Sequence, residues 1–232
     1  AAEEMGIPQI REFNRGDNFG NAYFQMNQRR GKRWSATSAY LKPVMSRRNL
    51  TVRTNTAVEN LCLDLSDGKL SAKGVFACIN GNEKVRFTAR REILLSAGAV
   101  GSPQILQLSG IGSQKLLEDR GVKVNLDLPG VGENLQDHLQ VRSVYKVKNT
   151  VTLNQRANSL AGKALMGLEY FLFKTGPLTM PPSQLGAFAK SDPSQSSANI
   201  EWHVQPLSLE KFGDPFHTFN AITRSVCNLR PS

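Results

Sequence analysis

Residues 92–112 read EILLSAGAVGSPQILQLSGIG, and this stretch decides the fold. It begins with the short apolar run Glu92–Ser96, which is typical of a strand buried in a parallel sheet. Small residues follow at Ala97-Gly98-Ala99, and Ser102-Pro103 predicts the N-cap and first position of a helix that ends at Ser109-Gly110. A strand, a glycine turn and a helix N-terminus in this order are the arrangement with which α/β folds bind phosphate-bearing ligands.

On the C-terminal side, the pattern changes from strand–helix units to alternating strands. Ser113 caps a second short helix that Gly121 closes, and Val122–Leu126 is predicted as another strand. Alternating residues predict a strand over Val141–Val147, and a helical period predicts an amphipathic helix over Leu160–Lys174. Two further runs are predicted as strands, namely Ala198–Gln205 and Phe216–Val226.

On the N-terminal side, residues 49–88 predict a small antiparallel meander that begins with the alternating run Leu50–Thr54. The dipeptides Asp67-Gly68 and Asn80-Gly81 are typical hairpin turns between its strands. Before the meander, Ser35 caps a predicted short helix over Ala36–Leu41. Residues 1–33 are predicted to be polar and irregular.

The composition is that of a globular protein. The chain has 232 residues, of which 40% are hydrophobic and 21% are charged, so it can build a core and is not a disordered protein. No apolar run approaches the roughly 18 residues that span a bilayer. The first residues show no signal-peptide pattern. These features favour a cytoplasmic location, with peripheral association with a membrane left open.

The three cysteines, Cys62, Cys78 and Cys227, are widely spaced. Without a C-x-x-C pair they do not indicate a zinc ribbon or a thioredoxin-type site. A disulfide framework needs more cysteines in a shorter secreted chain. We therefore predict three free thiols in a reducing compartment.

A basic stretch lies between residues 29 and 53. It contains eight lysines and arginines and no acidic residue, and the whole chain carries a formal net charge of +10. Such a stretch can meet nucleic acid, an anionic membrane or a phosphorylated cofactor. No RNP, KH, zinc-finger or helix-turn-helix pattern accompanies it. We predict no nucleic-acid site, because a core would claim the interleaved apolar residues Leu41, Val44 and Met45.

Spacing alone leaves the function open. Gly110-Ile111-Gly112 and Gly130-Val131-Gly132 both begin a dinucleotide fingerprint, but each lacks the third glycine. The histidines His138, His203 and His217 are too dispersed for a local metal motif. We predict that each is a hydrogen-bonded structural residue and that the chain holds neither a metal site nor a catalytic residue.

Residues 98–112 do match a known pattern: small residues at 98–99, Ser-Pro at 102–103, two aliphatic residues at 105–106 and a closing Ser-Gly-aliphatic-Gly. In this the chain resembles the glucose-methanol-choline (GMC) oxidoreductases, at their second signature, and most of all their bacterial choline-dehydrogenase-like branch. The resemblance extends over nearly the whole chain. Its other segments are RRGKRWSATSAYLKP (29–43), NLTVRTNTAV (49–58), DLPGVGENLQDH (127–138) and GPLTMPPSQLGAF (176–188).

The resemblance implies a mixed α/β (α+β) fold made of parts of two domains. Residues 41–138 would be part of a Rossmann-like FAD-binding domain, and residues 139–232 part of an antiparallel-sheet substrate domain. Residues 1–40 would be an N-terminal segment that packs between them. The implied activity is that of an FAD-dependent alcohol dehydrogenase or oxidase, which transfers a hydride from the CH–OH group of a small alcohol to the flavin.

The resemblance also implies which residues contact FAD. The backbone of Val58 would bind the adenine. The turn formed by Ser96, Ala97, Gly98 and Ala99 would line the adenosine portion. No catalytic residue is expected in this chain, because the family places its catalytic histidine nearer the C-terminus.

Family members are longer than this chain and begin with a G-x-G-x-x-G turn for FAD. The resemblance therefore implies an internal fragment that neither oxidises alcohols alone nor holds FAD firmly. An exposed sheet edge would favour self-association, so a homo-oligomer is left open. Two other functions also stay open: a catalytically silent scaffold with the family fold, and a basic nucleic-acid-binding protein.

Overall fold

The computed structural model describes residues 2–66, 68–211 and 213–230. They form two compact units. The signature unit covers Arg47–Leu135, and the sheet unit combines the residues up to Ser46 with those from Gln136 onward. Each unit contains both helices and strands, so the predicted mixed α/β fold is confirmed.

The regular elements are four helices and twelve strands in the described part of the chain. The helices are α1 (Gly98–Leu108), α2 (Gln114–Asp119), α3 (Leu153–Asn158) and α4 (Leu160–Phe173). The strands are β1 (Gly20–Tyr23), β2 (Gln28–Arg29), β3 (Lys32–Arg33), β4 (Thr56–Ser66), β5 (Lys69–Ile79), β6 (Glu83–Thr88), β7 (Ile111–Gly112), β8 (Leu126–Asp127), β9 (Leu139–Lys146), β10 (Leu185–Ala189), β11 (Ile200–Gln205) and β12 (Ala221–Asn228). Single 3-10 turns lie at Glu3–Met5, Lys42–Val44 and Pro177–Thr179, and a π-helical turn lies at Thr37–Leu41.

The sheet unit is built on a five-stranded antiparallel sheet with the order β1-β10-β11-β12-β9. The predicted strands of the C-terminal half correspond to β9, β11 and β12, although β12 begins at Ala221 rather than at Phe216. Residues 1–33 are less irregular than predicted, because they supply β1 to this sheet and the β2–β3 hairpin. Strand β10 is a further element that the sequence pattern missed, since three of its five residues are alanine or glycine.

Helix α4 confirms the predicted amphipathic helix within one residue at its C-terminal end. The Ser159 hydroxyl caps it by accepting the Gly162 backbone N–H at 2.8 Å, and Lys174 ends it in the left-handed conformation with φ 56°. Only Met166 of this helix is buried, and its apolar residues Leu165 and Phe171 are exposed. No described helix combines the length and apolar character that crossing a membrane requires.

The signature unit contains the predicted meander as the antiparallel sheet β4-β5-β6. Asn80 and Gly81 both have positive φ, 50° and 76°, which is the type I′ geometry that a tight hairpin requires. Of the other predicted turn, Gly68 has φ 71° and Asp67 lies outside the described residues. The run Leu50–Thr54 is not a strand.

Residues 92–96 are also not a strand, contrary to the prediction. A strand is held by backbone hydrogen bonds to a neighbour, and within the described ranges no strand pairs with this run. Leu94 is accordingly 81% exposed. The predicted strand Val122–Leu126 shrinks to Leu126–Asp127, which pairs in parallel with β7.

Helix α1 begins at Gly98, four residues before the predicted cap Ser102. The Ser102 hydroxyl lies inside the helix and reaches back to accept the Ala97 backbone N–H at 2.9 Å. Pro103 follows within the helix, where its ring removes one backbone hydrogen bond. The predicted end at Leu108 is confirmed, and the second helix begins after Ser113 as predicted, although the Ser113 side chain makes no capping hydrogen bond.

Ser109 joins α1 to β4. Its side chain is buried, accepts the Leu61 backbone N–H at 2.8 Å and donates to the Ile105 carbonyl at 2.5 Å. Serine at the end of the helix therefore satisfies a backbone donor on the free edge of the meander.

We expect Ser109→Ala to destabilise the signature unit by about 1–3 kcal/mol, because the Leu61 N–H loses its acceptor in a partly buried position. Ser113→Ala is the matched control, since the Ser113 side chain makes no cap hydrogen bond, and it should change stability by less than about 0.5 kcal/mol. Hydrogen exchange of the β4 amides during urea unfolding measures both. Equal effects of the two substitutions would contradict the assigned role.

Candidate functional site

The predicted adenosine-binding residues all lie in the signature unit. Val58 is in β4, with its side chain 39% exposed, and β4 is an edge strand of the meander. An edge strand leaves alternate backbone N–H and C=O groups without a neighbouring strand, so these groups can bind something else. The backbone N–H of Leu61, for example, donates to the Ser109 hydroxyl and not to a neighbouring strand.

The turn at Ser96–Ala99 lies immediately before and within the first turn of α1. All four residues are exposed, and their side chains are small. Gly98 has φ +86°, and a Cβ built on it would meet nothing within 4 Å. The backbone of this turn is therefore open to a ligand at the positive end of an eleven-residue helix. These features fit a nucleotide-binding turn, and helix α1 packs against the strand that carries Val58.

A group of three titratable side chains lies on one face of the five-stranded sheet. Glu201 of β11 is directly opposite Cys227 of β12 in the register, and His203 is opposite Ser225. The ligating atoms of Glu201, His203 and Cys227 all lie within 4.8 Å of one another. His203 Nε2 is 3.1 Å from Glu201 Oε1. Sequence reasoning missed this group, and the only local signal is the i, i+2 spacing of 201 and 203 on a strand.

Aromatic, proline and polar side chains surround this group. The Phe24 ring centroid is 5.0 Å from that of His203, next to a groove of about 610 Å³ that Glu201 and Gln205 also line. Two buried atoms on the same face, Gln205 Oε1 and Ser225 Oγ, have no hydrogen-bond partner. Burial raises the pKa of the Cys227 thiol, and the Glu201 carboxylate raises this pKa further. The Cys227 thiol is therefore protonated at neutral pH.

The other cysteines and histidines play different parts. Cys62, Cys78 and Cys227 are all free, as predicted. His217 is hydrogen-bonded within the sheet unit, with Nδ1 3.0 Å from the Ser208 hydroxyl, which is fully buried. Because no substrate can reach that hydroxyl, this pair is structural.

The basic stretch is an exposed surface. Arg29, Arg30, Lys32 and Arg33 are exposed in and around the β2–β3 hairpin, and the Arg29 guanidinium lies 5.1 Å from the Trp34 ring centroid. Leu41 and Val44 are partly exposed and Met45 is 55% exposed. The expectation that a core claims these three residues is thus wrong within the described part of the chain. The predicted lack of nucleic-acid binding remains a prediction.

Comparison with known proteins identifies several relatives. A family model for GMC oxidoreductases matches residues 1–140. The chain is 37% identical over 213 residues to the oxygen-dependent choline dehydrogenase of Photobacterium profundum, covering 92% of this chain and 36% of that protein. It is 34% identical over 233 residues to an alcohol dehydrogenase (acceptor) of Pseudomonas putida, covering 100% of this chain and 41% of that protein.

A solved structure shares the fold. The formate oxidase of Aspergillus oryzae RIB40 aligns with a TM-score of 0.82 and 20% sequence identity, covering 99% of this chain and 43% of that chain. At this level of identity the likeness concerns the fold alone. The chain spans 36–41% of the length of the two curated relatives.

Proposed function

The chain belongs to the GMC oxidoreductase family, and from this premise we propose that it is the segment of an FAD-dependent alcohol dehydrogenase or oxidase that holds the adenosine end of FAD. The predicted family and enzyme class are thereby confirmed, whereas the activity and the contacts are our proposal. The observation that carries the proposal is the open turn at Ser96–Ala99, where Gly98 has φ +86° and free space in front of it. FAD, when bound, supplies the acceptor for a hydride from the CH–OH group of the alcohol.

Each predicted contact residue has a distinct part in this proposal. The small side chains of Ser96, Ala97 and Ala99 let the adenosine approach the backbone, as a bulky side chain would not. The N-terminus of α1 favours the negative charge of the adjoining phosphate. The backbone of Val58 would bind the adenine edge from the free side of β4. These groups bind and orient, and none of them takes part in the hydride transfer.

The sheet unit is proposed to belong to the substrate domain, and the signature unit to the FAD domain. Support comes from the antiparallel sheet of the one and the turn–helix arrangement of the other. The substrate is proposed to be a small alcohol, as the names of the curated relatives suggest. The division predicted after residue 138 remains part of the proposal.

Ligand specificity tests the adenosine contacts directly. We expect the protein to bind FAD and ADP weakly and competitively, and not to bind FMN, which lacks the adenosine. Ala99→Asp should weaken FAD binding at least about tenfold, equivalent to about 1.4 kcal/mol, because a carboxylate at the start of α1 repels the ligand's phosphates. Isothermal titration calorimetry measures each affinity.

The matched control is Ser113→Asp, which places the same carboxylate at the start of α2 in the same unit. It should leave FAD binding unchanged. Equal binding of FMN and FAD, or equal losses in the two variants, would refute the adenosine site. Complete absence of adenine-nucleotide binding would favour the catalytically silent scaffold instead.

A further inference from the structure

We propose that Glu201, His203 and Cys227 form a binding site for a divalent metal ion of the zinc class on the sheet unit. The site needs no loop movement to assemble, because β11 and β12 are adjacent strands in a defined register. Glu201 and Cys227 are a directly opposed pair, and His203 is two residues along the same face from Glu201. The proposal does not depend on FAD binding, since all three residues lie in the sheet unit.

The distances between the ligand atoms suit a tetrahedral ion. Metal–ligand bonds of about 2.0–2.3 Å at tetrahedral angles place neighbouring ligand atoms about 3.3–3.6 Å apart. The separation of 3.1 Å between His203 Nε2 and Glu201 Oε1 is already close to this value. The ligand atoms of all three residues lie within 4.8 Å of one another. Side-chain rotations that move these atoms by about 1 Å therefore bring them to the spacing of a tetrahedral site.

The types of ligand select the ion. A thiolate, an imidazole nitrogen and a carboxylate oxygen are the mixed set that zinc and similar transition metals accept. Calcium and magnesium prefer all-oxygen sites, which this is not. Glu201 is 9% exposed and Cys227 is 4% exposed, so the ion would be largely shielded from water while His203, more exposed, leaves an entry path.

Two orphaned polar atoms lie next to the three ligands. Ser225 Oγ is fully buried and faces His203 across the strand pair, yet it has no hydrogen-bond partner. Gln205 Oε1 is likewise buried without a partner, two residues beyond His203 on the same face. Native proteins rarely leave such atoms unsatisfied. A bound metal ion would supply the missing partners in one of two ways. The Ser225 hydroxyl would bind the ion as its fourth ligand, or a water molecule on the ion would donate hydrogen bonds to the Ser225 and Gln205 oxygens.

A bound metal ion would also change the charge of this face. Glu201 is a buried carboxylate that pairs with His203, with Nε2 3.1 Å from Oε1. A divalent ion compensates the carboxylate and displaces the thiol proton in one step. Arg142 lies opposite Ser225 in the register, and its charge repels a cation there, so binding rests on the two negative charges that the Glu201 carboxylate and a Cys227 thiolate supply.

Zinc titration of the chelator-treated protein tests the proposal. In competition with a chromophoric chelator we expect one Zn²⁺ per chain. X-ray absorption at the zinc edge should show one sulfur at about 2.3 Å and nitrogen or oxygen ligands at about 2.0–2.1 Å. Both measurements use the unaltered protein, so they do not depend on how a variant folds. Trp202, which lies between two of the ligands on β11, should report a raised unfolding temperature in zinc.

The variants identify the ligands. Cys227→Ser should abolish the sulfur signal and weaken zinc binding more than the roughly 10–100-fold lost with an outer-shell partner. His203→Gln, at a partly exposed position, should weaken zinc binding comparably and serves if Cys227→Ser does not fold. Cys62→Ser and Cys78→Ser, in the other unit, are the controls and should bind zinc as before. A spectrum without sulfur, no stoichiometric zinc, or a signal that follows Cys62 or Cys78 would overturn the site.

Discussion

Replacing Gly110 with alanine is expected to destabilise the signature unit by about 2–5 kcal/mol. Gly110 has φ +76°, and an alanine there costs about 1–2 kcal/mol in backbone strain alone. Its Cβ would also collide with the Lys123 carbonyl and come within 2.7 Å of Asn125 Nδ2. Overpacking of this kind adds about 1–3 kcal/mol. The position is critical because the Gly110 carbonyl accepts the backbone N–H groups of Asn125 and of Leu126, the first residue of β8.

Gly121→Ala separates the two causes. Gly121 also has a positive φ, +68°, but its added Cβ would meet nothing within 4 Å, so only the strain of about 1–2 kcal/mol applies. Hydrogen exchange of the α1 and β7 amides measures both variants within the signature unit, which contains neither tryptophan of the chain. Similar losses in the two variants would show that the close approach at Gly110 is not what the structure indicates.

Asn154→Ala is expected to destabilise the sheet unit by about 2–5 kcal/mol. The Asn154 side chain is fully buried in α3 and makes three hydrogen bonds. It donates to the Ser208 hydroxyl at 2.8 Å and to the Phe219 carbonyl at 3.1 Å, and it accepts the Ser208 backbone N–H at 2.8 Å. Alanine would remove the partner of the Ser208 backbone N–H and of the Phe219 carbonyl, and each loss costs about 1–3 kcal/mol, whereas the Ser208 hydroxyl keeps its contact with His217.

The control lies in the same helix. Asn158 donates to the His217 carbonyl at 2.9 Å from an exposed position, where water can replace the lost bond. Asn158→Ala should therefore cost about 1 kcal/mol or less. Trp34 and Trp202 both lie in the sheet unit, so the urea dependence of tryptophan fluorescence reports its unfolding. An Asn154→Ala midpoint equal to that of Asn158→Ala would contradict the role assigned to the buried amide.

Two local elements of this protein, the Asn80-Gly81 hairpin and helix α4, follow from the sequence. Asn80-Gly81 predicts a tight hairpin, because such a turn needs two successive positive φ angles and few residue pairs other than Asn-Gly accept them. Ser159 and the helical period that follows it predict α4, because a cap and a repeat of 3.6 residues act within one or two turns. The pattern at 98–112 is enough to indicate the family, and with it the fold.

The boundaries at 92–102 could not be predicted in the same way. The run Glu92–Ser96 has the composition of a buried strand. A strand also needs a neighbouring strand to form backbone hydrogen bonds, and the composition of the run does not show whether one is present. The start of α1 depends on one hydroxyl, since Ser102 accepts the Ala97 N–H from within the helix instead of capping it from outside. Serine favours both arrangements, so its identity alone does not distinguish them.

The sequence alone indicated the family and, with it, the cofactor class, because both rest on residues that are neighbours along the chain. Only the tertiary structure brings Glu201, His203 and Cys227 close together, since the pairing of β12 with β11 places Cys227 beside the other two residues. A shift of that pairing by one residue would move Cys227 to the opposite face. Strand register is set by packing of the whole sheet, and no local pattern encodes it.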